Sequence, residues 1–177
     1  MAQEENRLQD PVSEADWPRG PSHAPVVLVE YGDYDCNACR AVHGVVERLL
    51  AEKGDHILFA FRHFPLTKPH PRALPAARAA EAAGRQGKFW EMHKAIFENP
   101  REPSDQQLAK YAAHIGLDMA RFATDFADKE IEREILRRRM HGLRSGVNGT
   151  PTFYINGKRY DGEPSYESLA AAIDARL

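Results

Sequence analysis

The chain has only two cysteines in 177 residues, too few for the disulfide framework that staples small secreted domains. If the two paired with each other, the closed loop would be very short and would add little stability. Such a bridge would exist to be exchanged. An excess of charge of one sign is also missing: 24 Lys and Arg against 26 Asp and Glu give a net charge of −2, with no electrostatic footprint for nucleic acid or an anionic membrane. No run approaches about 18 consecutive apolar residues, so no membrane span is expected. The first 25 residues have no basic start, apolar core or small-residue cleavage site, so no signal peptide is expected and the sequence reads as cytoplasmic. The length suits one domain with a full core.

Both cysteines fall in Asp33-Tyr34-Asp35-Cys36-Asn37-Ala38-Cys39-Arg40. The stretch follows an apolar run, Val26-Val27-Leu28-Val29. It precedes Val42, Val45, Val46, Leu49 and Leu50, whose i, i+3, i+4, i+7, i+8 spacing marks one face of a helix. The cysteines are therefore expected on the first helical turn, where unpaired backbone N–H groups and the helix dipole favour an anion and should help Cys36 to ionise. A thiolate is the nucleophile that attacks disulfides. Two other readings stand beside a redox dithiol: half of a zinc site and a buried structural pair. Zinc needs about four ligands, and no second Cys pair exists; His43 lies four residues after Cys39, but the other histidines lack ligand spacing. The order strand, Cys-x-x-Cys, helix favours redox chemistry.

The rest of the chain frames this motif. Residues 1–24 form an extended lead segment rich in proline. Val26 to Tyr31 and Ile57 to Phe61 resemble strands buried on both faces, and with the helix between them they make a βαβ unit, expected to be parallel and right-handed. A long helical stretch follows. Pro71 can open a helix with Ala73, Ala76, Ala77, Ala80 and Ala83 on a narrow face; Phe89, Met92, His93 and Ile96 mark the next. Ser104 can cap a third with Gln107 at the reciprocal position, and Phe122 and Phe126 lie in a short piece. A last helix over about 129–143 should turn Ile131, Ile135, Met140 and Leu143 inward. Its Arg137-Arg138-Arg139 run follows Glu130, Glu132 and Glu134, so a solvated, charge-paired face is expected.

Toward the C-terminus, Asn156-Gly157 between Thr152-Phe153-Tyr154-Ile155 and Lys158-Arg159-Tyr160 signals a hairpin, and a helix from about Ser165 carries Leu169, Ala172 and Ile173. Pro151 at the opening of a strand lacks a ladder donor; a cis Thr150–Pro151 bond would account for it. The order is α/β: β-α-β, a helical block, then β-β-α.

Three blocks carry a resemblance to a known family: the stretch from Ala24 to Cys39, Phe61-Arg62-His63-Phe64-Pro65-Leu66, and Gly146-Val147-Asn148-Gly149-Thr150-Pro151-Thr152-Phe153. Together they resemble the DsbA-like thiol-disulfide oxidoreductases of the thioredoxin superfamily. The resemblance implies a thioredoxin-like domain over 25–177 with a helical insertion at about 63–146. It implies that Cys36 attacks, Cys39 resolves, and Pro151 is a cis-proline facing the disulfide, with the Thr150 backbone pairing with extended substrate. Glu30, six residues before Cys36, stands where the family places a buried acid thought to move the proton of the second cysteine; the alternative is a strand-end carboxylate reaching water or a lysine. His63 is expected to be structural. Partners would be protein thiols or disulfides and a redox partner such as glutathione or another thioredoxin-like protein, with no cofactor, metal, nucleic acid or membrane.

One departure from the best-known oxidants tunes the expectation. Their intervening dipeptide is often Pro-His, whereas Asn37-Ala38 offers neither proline nor a histidine donor, so strong oxidising power does not carry over. Two rival functions remain: a glutathione-dependent transferase or isomerase on the same fold, which would not need Cys39, and a redox-sensing or holdase-like binding module without turnover.

Overall fold

The β-branched and apolar run at the start of the domain forms β1 (Val26–Gly32), in which every residue except Val27 is buried. In the computed structural model, which describes residues 6–177, β2 (Ile57–His63), β3 (Thr152–Ile155) and β4 (Lys158–Tyr160) complete a four-stranded sheet in the order β2-β1-β3-β4. Strand β1 runs antiparallel to β3 in the register Leu28↔Ile155 to Tyr31↔Thr152. The β3–β4 turn uses Asn156 and Gly157, both at positive φ, as a two-residue type I′ hairpin requires. Asn156 also accepts the Val27 N–H through Oδ1 at 2.8 Å. Helix α1 (Asn37–Lys53) buries Val42, Val46, Leu49 and Leu50 and packs with α7 (Tyr166–Asp174), which Ser165 caps by accepting the Ser168 N–H.

Two compact units can be distinguished. The sheet unit comprises the chain through Gly32, Asn37–Arg62 and Met140–Leu177; the helical unit comprises Asp33–Cys36 and His63–Arg139. The helical unit holds α2 (Ala73–Gly84), α3 (Phe89–Phe97), α4 (Asp105–His114), α5 (Met119–Phe126) and most of α6 (Lys129–Arg144). Helix α2 packs against α3, α4 and α5. It therefore buries Ala79 and Ala82 as well as the expected alanine face, because small side chains let three helices approach on several sides. Pro71 lies outside α2, which starts two residues later at Ala73. The Ser104–Gln107 capping box is formed in both directions.

Helix α6 corrects two expectations. Ile131 and Ile135 are buried, but Met140 is 47% and Leu143 43% exposed. At about 100° per residue, Met140 lies nine positions, or half a turn, away from Ile131. Arg138, seven positions on, takes the inward face and pairs with Glu134 at 3.2 Å. The arginine run is charge-paired as expected, with Arg137 and Arg138 both on Glu134, but it is not wholly solvated: Arg139 donates to the Pro65 carbonyl at 3.0 Å and lies over the Phe64 ring at 5.1 Å, pinning the chain as it leaves β2.

Within the sheet unit the lead segment is tied down rather than merely extended; its first five residues lie outside the described ones. Arg7 bridges to Lys158 and Arg19 to Phe59. A 3-10 turn over Glu14–Asp16 delivers Asp16 to Arg62, and both side chains are 2% exposed. Arg62 also donates to Tyr31 Oη at 3.1 Å and to the Pro11 carbonyl at 3.1 Å. Burial works against its charge, but the Asp16 bonds dominate and hold the guanidinium more firmly protonated than usual.

Candidate active site

The four residues between β1 and α1 are anchored almost one by one within the helical unit. Asp33 is buried; its Oδ2 accepts the Leu66 N–H at 2.9 Å and lies 2.8 Å from His70 Nδ1, while its Oδ1 accepts the Asp35 N–H at 2.8 Å. Tyr34 is 1% exposed. Its hydroxyl bonds to His93 Nδ1 at 2.9 Å, and its ring packs against those of His63, His93 and Phe97. Asp35 is fully buried and accepts the Glu102 N–H through Oδ1 at 3.1 Å. Finally, the Cys36 N–H donates to the Asp33 carbonyl at 3.1 Å. This turn sets Cys36 immediately before the first residue of α1.

Cys36 is 8% exposed and Cys39 0%, while Asn37 and Ala38 between them are exposed on the first turn of α1. At a helix N-terminus the free N–H groups favour negative charge on a neighbouring sulfur. The carboxyl of Asp35, the residue before Cys36, is held above its ordinary value, chiefly by burial and further by the charges of Asp33 and Glu102, with the Glu102 N–H and Arg101 pulling the other way.

In the sheet unit, Glu30 is 2% exposed and sits opposite Phe153 in the β1–β3 ladder. It is interior to its strand, not at the solvent end. Gly32 closes β1 against Phe61: a Cβ there would lie 2.4 Å from Phe61 Cε2 and 3.6 Å from Glu30 Oε2. The Thr150–Pro151 peptide bond is cis and immediately precedes β3. Because Tyr31 is opposite Thr152, Pro151 lies at the end of the sheet from which β1 leads to the cysteines. Glu30, Cys39, Thr150 and Pro151 thus belong to the sheet unit and Cys36 to the helical unit.

Sequence reasoning named the cysteines but passed over the residues that hold them. Asp33, Tyr34 and Asp35 were visible as two acids flanking a tyrosine ahead of Cys36; their partners His70, His93 and Glu102 lie 37, 59 and 67 residues on, at distances no local pattern reveals. His63 Nε2 lies 2.9 Å from Glu81 Oε1 on α2. Among the described residues no three His, Cys, Asp or Glu side chains converge as metal ligands, and no helix is long and apolar enough to cross a membrane.

A family model described as Thioredoxin matches residues 13–175. The thiol-disulfide exchange protein alpha-DsbA2 from Wolbachia pipientis superposes with a TM-score of 0.81 at 26% identity, over 90% of this chain and 86% of that one. A thioredoxin-like oxidoreductase from Silicibacter pomeroyi DSS-3 superposes with a TM-score of 0.82 at 26% identity, over 97% and 95%. Among curated proteins, the Na(+)/H(+) antiporter NhaA 1 of Salinispora arenicola is 43% identical over 155 residues, which are 88% of this chain but 24% of that one. The chain spans about a quarter of the length of the curated relatives it matches.

Proposed function

The chain belongs to the thioredoxin family, in its DsbA-like branch, and on that premise we propose that it exchanges disulfides with protein substrates through the Cys36-Asn37-Ala38-Cys39 dithiol. The observation that carries this reading is the placement of the two thiols at the strand-to-helix junction: Cys36 immediately precedes α1 and Cys39 lies in its first turn. The antiporter relatives carry most of their length outside the match, so the proposal concerns the matched segment.

In the oxidised form, a substrate thiolate attacks Cys36 Sγ. The Cys36–Cys39 bond breaks, Cys39 leaves as a thiolate and takes up a proton, and a mixed disulfide joins Cys36 to the substrate. A second substrate thiolate then attacks the substrate sulfur of that bond, and Cys36 leaves as the thiolate. Two electrons have passed from the substrate dithiol to the protein, and the substrate sulfurs are joined. Run backwards, the same steps reduce a substrate, with glutathione or another thioredoxin-like protein as the redox partner. Whatever stabilises the Cys36 thiolate makes the disulfide the stronger oxidant, by about 30 mV for each tenfold in the equilibrium constant. The α1 N-terminus acts in that direction, whereas Asn37 and Ala38 add no charged donor.

The remaining residues have roles in the same proposal. Glu30 relays the proton that Cys39 gains or loses; its burial in mid-strand supports a functional reason for the carboxyl, since an acid there is costly. Thr150 and Pro151 present backbone to an extended substrate segment by strand addition. In the cytoplasm, where thiols are kept reduced, the pair would serve as a reductase or isomerase.

The test is an equilibrium titration of the pair in glutathione redox buffers, scored by mass after alkylation, together with single variants. Cys36→Ser is expected to abolish exchange, and Cys39→Ser to accumulate mixed disulfides. A wild-type protein that forms no Cys36–Cys39 bond under any buffer, or a Cys36→Ser protein that retains full exchange, would overturn the assignment.

A further inference from the structure

Asp35 differs from the other acid of the β1–α1 turn, Asp33. Its neighbour Asp33 is satisfied as a carboxylate, with one oxygen taking the Asp35 N–H and the other the Leu66 N–H and the His70 contact. Among the described residues Asp35 has only the Glu102 N–H on Oδ1, and its Oδ2 is buried without a hydrogen-bond partner. A buried carboxylate left half-satisfied is destabilised relative to its neutral acid, because the lost hydration is not replaced. The residue is fully buried and adjacent in the chain to Cys36, so its Cα lies about 3.8 Å from that of the nucleophile. Both belong to the helical unit, and neither charge is screened by bulk water as an exposed pair would be.

We propose that Asp35 is the group whose ionisation opposes the Cys36 thiolate, so that reduction of the Cys36–Cys39 disulfide draws a proton onto Asp35. This rests on the dithiol reading above. Reduction brings two electrons from a substrate dithiol to the two sulfurs; Cys39 takes one proton as a thiol, and Cys36 stays a thiolate. The proton that would otherwise have to neutralise Cys36 goes to the Asp35 carboxylate instead. In the oxidised protein Cys36 carries no charge, and Asp35 gives that proton back to solvent.

Burial is the largest influence on the Asp35 carboxyl; the Glu102 N–H and Arg101 favour a negative charge there, and the Asp33 and Glu102 charges oppose it. A new thiolate at Cys36 is one more like charge beside a carboxyl already held toward its neutral form. Asp35 therefore acts through Cys36 as a positioning group for charge, not as a residue that touches substrate. Its ionised form weakens the protein as an oxidant; its neutral form strengthens it.

The experiment compares wild type with Asp35→Asn, which keeps an acceptor for the Glu102 N–H but cannot ionise. The Cys36–Cys39 equilibrium constant against glutathione is measured across a range of pH, and the Cys36 thiolate is followed by its ultraviolet absorbance. Asp35→Asn is expected to shift the constant about tenfold toward the reduced form at neutral pH, or about 30 mV, to lower the pH at which Cys36 ionises, and to flatten the pH dependence of the potential. A second measurement needs no variant: carbon-13 titration of the Asp35 carboxyl in the wild-type protein, oxidised and reduced, is expected to place its ionisation at higher pH in the reduced form. If the carboxyl titrates identically in both forms, or a folded Asp35→Asn shifts the constant less than about twofold, the inference is overturned while the dithiol reading stands. If the wild-type pair does not exchange at all, both are overturned.

Discussion

Arg62 and Asp16 form a bidentate ion pair, Nε to Oδ1 at 2.9 Å and Nη2 to Oδ2 at 3.0 Å, sealed from solvent at 2% exposure on each side. The pair joins the end of β2 to a lead segment whose 3-10 turn is held by Ser13, its N–H donating to Asp16 Oδ2 at 2.9 Å. Asp16→Ala would strand a buried guanidinium, and breaking such a pair costs about 3–5 kcal/mol. Urea unfolding is expected to show a loss of that size. A double variant, Asp16→Leu with Arg62→Met, is expected to recover most of it, since replacing both charges removes the desolvation penalty as well. A loss below about 1 kcal/mol for Asp16→Ala would show the pair to be dispensable.

Gly32 is required for space rather than for a special backbone angle. A Cβ at that position would meet Phe61 Cε2 at 2.4 Å and Cζ at 2.7 Å, and Phe61 is 2% exposed with nowhere to move. Gly32→Ala is expected to cost about 1–3 kcal/mol by overpacking. Pairing it with Phe61→Leu should return part of that stability, which thermal melts of the three variants would reveal. Equal melting temperatures for wild type and Gly32→Ala would refute the steric argument.

The buried Asp35 carboxyl also makes stability depend on pH. Its ionisation is pushed above the ordinary value near 3.8, burial first. A group that binds its proton more tightly in the folded chain stabilises the fold below its unfolded value, and that contribution is lost as pH rises through the folded value. Asp35→Asn removes this pH-dependent loss. It is therefore expected to be the more stable protein at neutral pH, by about 1 kcal/mol, with the advantage fading as pH falls toward 3.8. The difference between the two urea midpoints, followed across pH, isolates this group from the others that titrate. An advantage that grows toward acid would reverse the sign and exclude the assignment.

Local pattern was sufficient where one element decides the outcome. The period of Val42, Val46 and Leu49 located α1, Asn156-Gly157 located the hairpin, and Ser104 with Gln107 located the start of α4. It failed where the helical period was stretched: Met140 and Leu143 look like a continuation of Ile131 and Ile135 only if a gap of five residues is allowed, and the structure exposes both. It failed too where a charge reads as solvated by its neighbours, since Arg139 is engaged by Phe64 and Pro65, more than seventy positions earlier.

The amino-acid sequence by itself determined the α/β order, the position of the Cys36–Cys39 pair at a strand-to-helix junction, and the family to which the chain is similar. These follow from short-range periodicity, turn chemistry and motif spacing, which are written in neighbouring residues. Only the tertiary structure decided what surrounds the motif. It decided that Asp33, Tyr34 and Asp35 are held by Leu66, His70, His93 and Glu102, that Arg62 is paired with Asp16, and that one oxygen of Asp35 has no hydrogen-bond partner among the described residues. The reason is physical: the cost of burying a charge is set by the few atoms that meet it in space, and those atoms come from segments that are remote along the chain.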